Sequence, residues 1–472
     1  MLKKNNIGSL LCLFALSWFY VQTAGDVLSE KRFFDAEWSN LRNDAGIYYA
    51  YLPATFIKKN PLFTFLDVEP GVVPEKGIQY WAAQSEKGGW VPKMTMGKAF
   101  MDLPFFFLAD AYVQCYKHHD RTGFSLPYQN AMVYATLFYT VFGFFFLRLV
   151  LLRFFEDFVV ALTIIILALA TNLFHYACYE TAYTHPHNFF ILSVLIYLAT
   201  RWEQKGTIWQ GAIFGLLCGL LVLVRPINFL LLLPLPLFSV YFQQFAFSFS
   251  ALKSGVLSFF ETRKFLFGFG VAVLVLFPQL LFWKIQSGSW LYYSYQDEGF
   301  FWTNPQILEG LFSFRKGWLL YTPVMFLACI GLFQLLFRKQ SVALRWIGAS
   351  LVVTLIIFIY VTFSWWCWWY GGGFGARTMI DFYPYTAFGL AGILAGILKK
   401  GFLIKAISAV VILFVIKLNT FQTHQYHLSL IHWDSMTYEA YKSVFFKEQF
   451  PDNFQELLSE PDYQKQKETG EE

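Results

Sequence analysis

The fold of this chain depends on one apolar segment, residues 98–116, with the sequence KAFMDLPFFFLADAYVQCY. The segment is as long as a membrane-spanning helix, but it contains Asp102, Pro104 and Asp110. A charged side chain at the middle of a bilayer costs about 3 kcal/mol on insertion scales. We therefore predict that these residues form a re-entrant or interfacial helix that does not cross a membrane.

The composition of the chain defines its class. Of its 472 residues, 57% are hydrophobic and 14% are charged, whereas soluble domains carry roughly 25% charged residues. Apolar runs recur along the sequence, each long enough to cross a hydrocarbon core of ~30 Å. The strict alternation expected of a membrane barrel is absent, and no basic stripe indicates nucleic-acid binding. The composition predicts an all-α polytopic membrane protein.

The charges between apolar segments give a topology. Twelve segments stand out at 7–24, 98–116, 130–150, 158–175, 187–202, 208–224, 226–245, 265–285, 317–337, 344–363, 380–398 and 401–418. If 98–116 does not cross, about 11 transmembrane helices remain and every basic loop faces the cytoplasm. Those loops carry Arg148, Arg153, Arg201, Lys205, Arg263, Lys264, Arg338, Lys339, Lys399 and Lys400. The N-terminus is then cytoplasmic and the C-terminus lies outside.

Two local patterns leave less specific predictions. Lys3 and Lys4 before apolar residues 7–21 are typical of a signal peptide or of a first transmembrane helix. The stretch 21–24, VQTA, is a poor cleavage site, which favours the uncleaved helix. The six cysteines show no paired spacing, so we predict neither a disulfide framework nor a zinc site.

The topology leaves five outer regions, at 25–129, 175–187, 286–316, 364–379 and from 419 onward. We divide the chain into a transmembrane domain, 1–418, whose first outer loop holds non-spanning helices, and an outer tail, 419–472. The polar, acidic stretch 452–472 is expected to be disordered. Because these regions share one side, we place the candidate site there.

The first outer loop offers a candidate base. Asp44 lies at the head of an aromatic stretch, where Asn43 or Asp44 could instead cap a helix. A carboxylate just outside the membrane could also take a proton from an acceptor hydroxyl, a role worth roughly 10²–10⁴ in rate. Asp35 and Glu37 are alternatives for the same role.

The second outer loop carries Glu180, His185 and His187 before the next span. These side chains could belong to a metal or phosphate site. However, residues two apart do not share one face of a helix. Capping by Thr184 and interfacial hydrogen bonding remain an equal alternative.

The third outer loop carries Arg315 and Lys316, two cations on the side where basic residues are uncommon. An anionic phosphate at the outer interface would explain them. Contact with lipid headgroups is the alternative.

The fourth outer loop, SWWCWWYGGGFGARTMID, covers residues 364–381. Its tryptophans could form an interfacial aromatic belt. Its glycines also allow a close backbone approach to a ligand, and Arg377 offers a planar donor fork for phosphate. Arg225 lies near the outer end of another span. Together these cations favour a site for an anionic ligand.

Several of these stretches resemble a known family. They are DAGIYYAYLP at 44–53, THPHNFF at 184–190, LVRPIN at 223–228, YGGGFGAR at 370–377 and, more loosely, FRKGWLLYTP at 314–323. In this order they resemble the bacterial polytopic glycosyltransferases of the C-type (GT-C) fold, in the group of protein mannosyltransferases and lipid A aminoarabinose transferases. The resemblance covers roughly residues 30–400.

The resemblance implies a GT-C-like helical bundle in the bacterial inner membrane and a glycosyltransferase activity in the cell envelope. A polyprenyl-phosphate-linked sugar, a hexose or pentose, would be the donor, and a lipid, glycan or protein on the periplasmic side the acceptor. Asp44 would be the base in an inverting displacement. The donor phosphate would be bound by Arg225, Arg315, Lys316 and Arg377. The substrate cavity would include Tyr48, Tyr49, Glu180, His185, His187, Trp369, Gly372 and Gly373.

One position departs from the family pattern, and two alternative functions stay open. Protein mannosyltransferases often have adjacent acids at the catalytic position, whereas Ala45 follows Asp44 here. No cofactor is required by these residues, no metal ligands are assigned, and a divalent metal is left open. A lipid-linked sugar transporter or flippase, and a non-catalytic GT-C-like membrane protein, are the alternatives. Polar groups crowded on one face favour the enzyme, because transporters usually place theirs near the bilayer midplane.

Overall fold

The computed structural model describes residues 6–30, 41, 43–67, 82–202, 207–239, 248–338 and 341–471. The α-helices are α1 (Gly8–Ser29), α2 (Asn43–Tyr49), α3 (Gly97–Cys115), α4 (Leu126–Leu151), α5 (Asp157–Leu169), α6 (Leu173–Cys178), α7 (His185–Ala199), α8 (Ile208–Val224), α9 (Leu235–Ser239), α10 (Phe249–Phe260), α11 (Arg263–Ser287), α12 (Ile307–Phe312), α13 (Trp318–Tyr321), α14 (Val324–Leu336), α15 (Val342–Phe363), α16 (Tyr383–Ile397), α17 (Phe402–His427), α18 (Tyr438–Val444) and α19 (Tyr463–Thr469).

Short elements complete the described chain. A π turn covers Pro53–Ile57, and 3₁₀ turns cover Thr64–Asp67, Pro226–Leu232, Arg377–Phe382 and Phe454–Leu457. Strands β1 (Ala82–Gln84) and β2 (Trp90–Pro92) form an antiparallel hairpin in which Ala82 pairs with Pro92. Backbone groups have no water to bond with in hydrocarbon, so an apolar chain of this kind must satisfy them within helices.

The predicted class, an all-α membrane protein, is confirmed. By length and composition, six helices can cross a membrane: Gly8–Ser29, Leu126–Leu151, Arg263–Ser287, Val342–Phe363, Arg377–Ile397 and Phe402–His427. Five shorter apolar helices, Asp157–Leu169, His185–Ala199, Ile208–Val224, Pro226–Ser239 and Val324–Leu336, fall on the other five predicted spans. The number of crossings and the orientation of the termini stay predictions.

Helix α3 corresponds to the segment 98–116 and lies beside the first half of α4. The Tyr139 hydroxyl donates to the Met101 carbonyl at 2.7 Å, and the Tyr128 hydroxyl donates to Asp110 at 2.6 Å. Arg121 also donates to Asp110, at 2.8 Å. The two helices therefore run antiparallel, and Asp110 is paired within the protein, as Asp102 is with Lys98. That α3 does not cross the membrane stays a prediction.

Small residues bring α8 and α11 into close contact. Gly211 and Gly215, four residues apart on α8, face the backbone of α11. A Cβ atom on Gly211 would lie 2.0 Å from the Lys264 carbonyl oxygen, so no larger residue fits there. Close backbone approach of this kind is the usual way in which helices pack within lipid.

The basic ends of several helices meet one another. The Arg148 guanidinium, at the end of α4, donates to the Ser9 hydroxyl at 2.7 Å, and Ser9 also bonds to Asp157 at the start of α5. Arg338 lies over the Phe155 ring, with 5.7 Å to its centre. These contacts gather residues that the topology assigns to the cytoplasm. Lys205 and Lys339 lie outside the described residues.

The end of the chain differs from the expectation of disorder. Within 452–471 the structure has the 3₁₀ turn Phe454–Leu457 and α19. Lys467 pairs with Asp297 at 2.6 Å, and the Gln306 amide donates to the Gly470 carbonyl at 2.9 Å. Polar contacts with the third outer region hold this segment, which an argument from its own low hydrophobicity could not foresee.

Candidate functional site

A cavity of about 1240 Å³ opens where the loops predicted to lie on the outer side meet the helix bundle. Its lining comes from distant parts of the sequence, which include α2, the turn before α7, the segment after α8, the loop after α11, the loop after α15, and the end of α17 with the chain after it. Seven of the predicted site residues line it: Asp44, Tyr48, Glu180, His185, Arg225, Gly372 and Arg377.

Asp44 and Arg377 form an ion pair in this cavity. The Arg377 Nη2 atom lies 2.6 Å from Asp44 Oδ2 and donates also to the Tyr370 carbonyl at 2.8 Å. The guanidinium lies over the Tyr183 ring, 4.8 Å from its centre. Asp44 occupies the first turn of α2, and one third of its side chain is exposed. A cation and an exposed carboxylate thus face the same space. Asp35 and Glu37 lie outside the described residues.

A second cation, Arg225, is held by a buried carboxylate. Arg225 Nη1 lies 3.5 Å from Asp381 Oδ2, and the other oxygen of Asp381 lies 2.8 Å from His185 Nδ1. The amides of Asn188 and Asn228 donate to Asp381 at 3.1 and 2.9 Å. Because Asp381 is buried below the cavity, it orients Arg225 and His185 without lining the cavity itself.

The glycine loop depends on backbone conformations that other residues rarely adopt. Gly371 and Gly375 have φ angles of 66° and 60°. A Cβ atom on Gly373 would lie 2.5 Å from the Tyr176 hydroxyl oxygen, and that hydroxyl accepts from the Phe374 N–H at 2.8 Å. The loop therefore passes close to α6 and presents Gly372 to the cavity. Within the preceding tryptophan run, Trp368 and Trp369 are buried rather than arranged as a belt.

Arg315 and Lys316 do not line the cavity. Arg315 donates to the carbonyls of Asp434 and Ser459, the latter at 3.2 Å. The Lys316 ammonium donates to the carbonyls of Gly373 and Trp433. Burial lowers the pKa of Lys316 to about 7. Both cations thus connect the C-terminal segment to the outer loops, and Lys316 also supports the glycine loop from behind.

The remaining predicted residues lie in several places. Tyr48 lines the cavity, and burial raises its pKa to about 12. Tyr49 is buried behind it and donates to the Gly123 carbonyl. Glu180 lies 3.4 Å from His175 Nε2. Trp369 is buried under the Arg315 guanidinium, 5.5 Å from the ring centre.

His187 belongs to a separate buried cluster. Its Nε2 atom lies 3.0 Å from Asp102 Oδ1, and Lys98 pairs with the other oxygen of Asp102. All three side chains are fully buried. The cluster joins α3 to the first turn of α7, two residues beyond His185. Thr184 precedes α7, but its side chain makes no capping hydrogen bond.

Several residues of the site were not among those predicted from the sequence. Asn188 and Asn228 lie in the quoted motifs and Asp381 ends the quoted stretch 364–381, so their polar character beside apolar residues was an available signal. His432 and Trp433, which also line the cavity, had no comparable signal. Among the described residues, no three His, Cys, Asp or Glu side chains are grouped as a metal ion would require.

No family model matches the chain, and no curated protein matches it. A solved structure with a similar arrangement is the crystal structure of the Archaeoglobus fulgidus oligosaccharyltransferase in the apo form, at 13% identity and a TM-score of 0.47. The match covers 95% of this chain and 59% of the archaeal one, so this chain spans about three fifths of that protein. At such values the likeness carries no argument about activity.

Proposed function

We propose that this protein is a membrane glycosyltransferase of the GT-C type. It transfers a sugar from a polyprenyl-phosphate donor to an acceptor on the outer face of a bacterial inner membrane. One observation carries the proposal. Asp44 and Arg377, 333 positions apart in sequence, form a 2.6 Å ion pair in a large cavity that also holds Arg225. The motif resemblance assigns to these positions the base and the phosphate-binding cation.

The roles follow from the chemistry of a single displacement. The Asp44 carboxylate takes the proton of the acceptor hydroxyl while that oxygen attacks the anomeric carbon. The bond between the sugar and the phosphate breaks, and the polyprenyl phosphate leaves with the bonding electrons. Arg377 and Arg225 stabilise the charge that develops on the phosphate. Attack opposite the leaving group inverts the anomeric configuration.

The ion pair between Asp44 and Arg377 suits a resting site. Each cavity guanidinium has a carboxylate nearby, Asp44 for Arg377 and Asp381 for Arg225. A donor phosphate would supply a second anion for the two arginines and release Asp44 toward the acceptor. Asp381 would remain behind Arg225, where four donors hold it in place.

The walls of the cavity support entry of the donor from the bilayer. Trp283 of α11 and Leu291 of the following loop line the cavity, and Leu291 is 78% exposed. Helices α7 and α8 have 15 and 17 residues, or about 22 and 26 Å at 1.5 Å per residue. The hydrocarbon core is about 30 Å thick. The cavity ends of these two helices would therefore lie at the depth of the lipid.

The test is sugar transfer in proteoliposomes from a radiolabelled polyprenyl-phosphate sugar to extracted envelope lipids and glycans. Asp44→Asn should lower the transfer rate by roughly 10²–10⁴, because it removes the base but keeps the shape of the side chain. Asp297→Asn is the matched control, since Asp297 is an outer acid, 72% exposed, that does not line the cavity. Full turnover by Asp44→Asn would reject Asp44 as the base.

The same vesicles separate the enzyme from the alternative of a flippase. A flippase would move the labelled donor between leaflets, and no product would form. Lipid movement without transfer by the wild type would therefore contradict the proposed function. Transfer that requires Asp44 would support it.

A further inference from the structure

The end of α17 and the chain that follows it form one wall of the cavity, although no motif pointed to this wall. Tyr426, His427, Ile431, His432 and Trp433 all line the cavity. Ile431 belongs to an apolar cluster with Tyr321 and Phe374. Trp283, on the wall proposed for entry of the donor, packs against a different cluster. The two walls are therefore built on different parts of the protein.

We propose that this C-terminal wall is the acceptor subsite and that the acceptor is a carbohydrate whose ring stacks on Trp433. The inference rests on the proposed transfer function and adds the class of acceptor to it. It assigns a role to the segment after α17 and to the two cations that do not reach the cavity.

Trp433 has the geometry of a stacking platform. A Cβ atom on Gly372 would lie 3.2 Å from Trp433 Cε3, so the indole rests against the backbone of the glycine loop. The residue nonetheless remains 51% exposed. An indole supported on one side and open on another offers a flat apolar surface with a fixed orientation. The C–H groups on one face of a pyranose ring fit such a surface.

The backbone that carries Trp433 is held by buried cations. Lys316 donates to the Trp433 carbonyl and also to the Gly373 carbonyl, so one ammonium joins the platform to the glycine loop. Arg315 donates to the carbonyl of Asp434. The Asp434 carboxylate in turn accepts from the Tyr463 hydroxyl at 2.7 Å. A ligand that binds here would find the platform already in position, which lowers the entropic cost of binding.

Polar groups of the kind that sugar hydroxyls require line the cavity beside the platform. Glu180 supplies a carboxylate, and His427 and His432 supply imidazoles. Glu30 accepts from His427 Nε2 at 2.8 Å, which orients that ring. A hydroxyl both donates and accepts, so a mixture of these groups suits a polyol better than it suits an apolar chain.

A peptide acceptor fits the wall less well. Extended peptides commonly bind by adding a strand to an exposed sheet edge. In the part of the chain that the structure describes, the hairpin ends at Pro92 outside the lining, and strand-like pairing within the lining is limited to one isolated bridge between Phe300 and Trp365. The lining thus lacks the backbone ladder that would hold a peptide.

Saturation-transfer difference NMR on the full chain in lipid nanodiscs tests the proposal without donor or turnover. The probes are the methyl glycosides of glucose, galactose and mannose, the disaccharide cellobiose, and an acetylated hexapeptide containing Ser, Thr and Asn. At least one sugar should show ring-proton signals with the wild type. Trp433→Ala should lower them about two- to tenfold, and Trp433→Phe should retain most of them. Trp302→Ala is the matched control, because Trp302 is 48% exposed and does not line the cavity.

Three results would overturn the proposal. They are wild-type protein without signal for any sugar, sugar signals unchanged by Trp433→Ala, and hexapeptide signals that depend on Trp433. If Trp433→Ala does not fold, as judged by gel filtration, Trp433→Gln against Trp433→Phe makes the same comparison. Failure here leaves the transfer assay with Asp44→Asn unaffected, so the two proposals fail separately.

Discussion

Asp381 offers the sharpest test of the charge network below the cavity. It is fully buried and accepts hydrogen bonds from His185, Asn188 and Asn228 at 2.8–3.1 Å, with Arg225 at 3.5 Å. Asp381→Asn keeps the shape of the side chain, but it removes the charge and converts one acceptor oxygen into a donor. The Arg225 guanidinium, 14% exposed, would then lack its buried counter-ion.

The magnitude follows from these contacts. Hydrogen bonds to a charged group contribute about 1.5–3 kcal/mol each, and breaking one half of a buried ion pair costs about 3–5 kcal/mol. We expect Asp381→Asn to cost about 3–5 kcal/mol in total, divided between the free energy of folding and the free energy of transition-state binding. If it falls wholly on the transition state, kcat/KM drops by about two to three and a half orders of magnitude.

Two measurements show how much of this free energy is lost from folding and how much from transition-state binding. Sugar transfer in proteoliposomes reports kcat/KM, and the unfolding temperature in detergent reports folding. Asp297→Asn is the control, because Asp297 is 72% exposed, pairs with Lys467 and does not line the cavity, and an exposed ion pair contributes little to stability. If Asp381→Asn transfers sugar and unfolds like the control, Asp381 does not hold the cavity cation in place.

Two further predictions concern buried lysines. Asp102→Asn should destabilise the fold by about 3–5 kcal/mol, because it leaves the buried Lys98 charged without its counter-ion. Lys98→Met with Asp102→Leu should recover part of that stability in thermal unfolding, since it removes the buried charge although His187 loses its hydrogen-bond partner. Equal unfolding temperatures of the single and double variants would contradict this prediction. Burial lowers the pKa of Lys316 to about 7. Above pH 7 the unfolded chain therefore holds a proton on Lys316 that the folded protein has lost. The free energy of unfolding should rise from pH 7 toward the ordinary lysine pKa, by at most about 1.4 kcal/mol per pH unit. Unfolding temperatures from pH 7 to 9 should rise more steeply in the wild type than in Lys316→Met, and parallel curves would refute the assignment.

The helical elements followed from the sequence because their cause is local. An apolar run of sufficient length forms a helix whatever its neighbours are, since its backbone must bond internally in lipid. Each of the 11 predicted spans accordingly falls on an apolar helix, and 98–116 falls on α3. The two acids of α3 were the signal that distinguished it from the predicted spans. Asp102 pairs with Lys98 and His187, and Asp110 pairs with Arg121, all within the protein.

The arrangement of the site did not follow from the sequence in the same way. The quoted motifs identified Asp44, Arg225 and Arg377 as candidates, and the tertiary structure brings them to one cavity. Arg315 and Lys316 have the same charge and come from an outer loop, yet their side chains bond to backbone carbonyls behind the wall.

The sequence by itself determined the class of the protein and the position of its apolar helices, because hydrophobicity acts over short stretches of chain. Only the tertiary structure decided which cations face the cavity, and that the segment around Trp433 closes it. Those outcomes depend on side chains more than 100 positions apart, such as Lys316 and Trp433, and no local pattern records a partner at that distance.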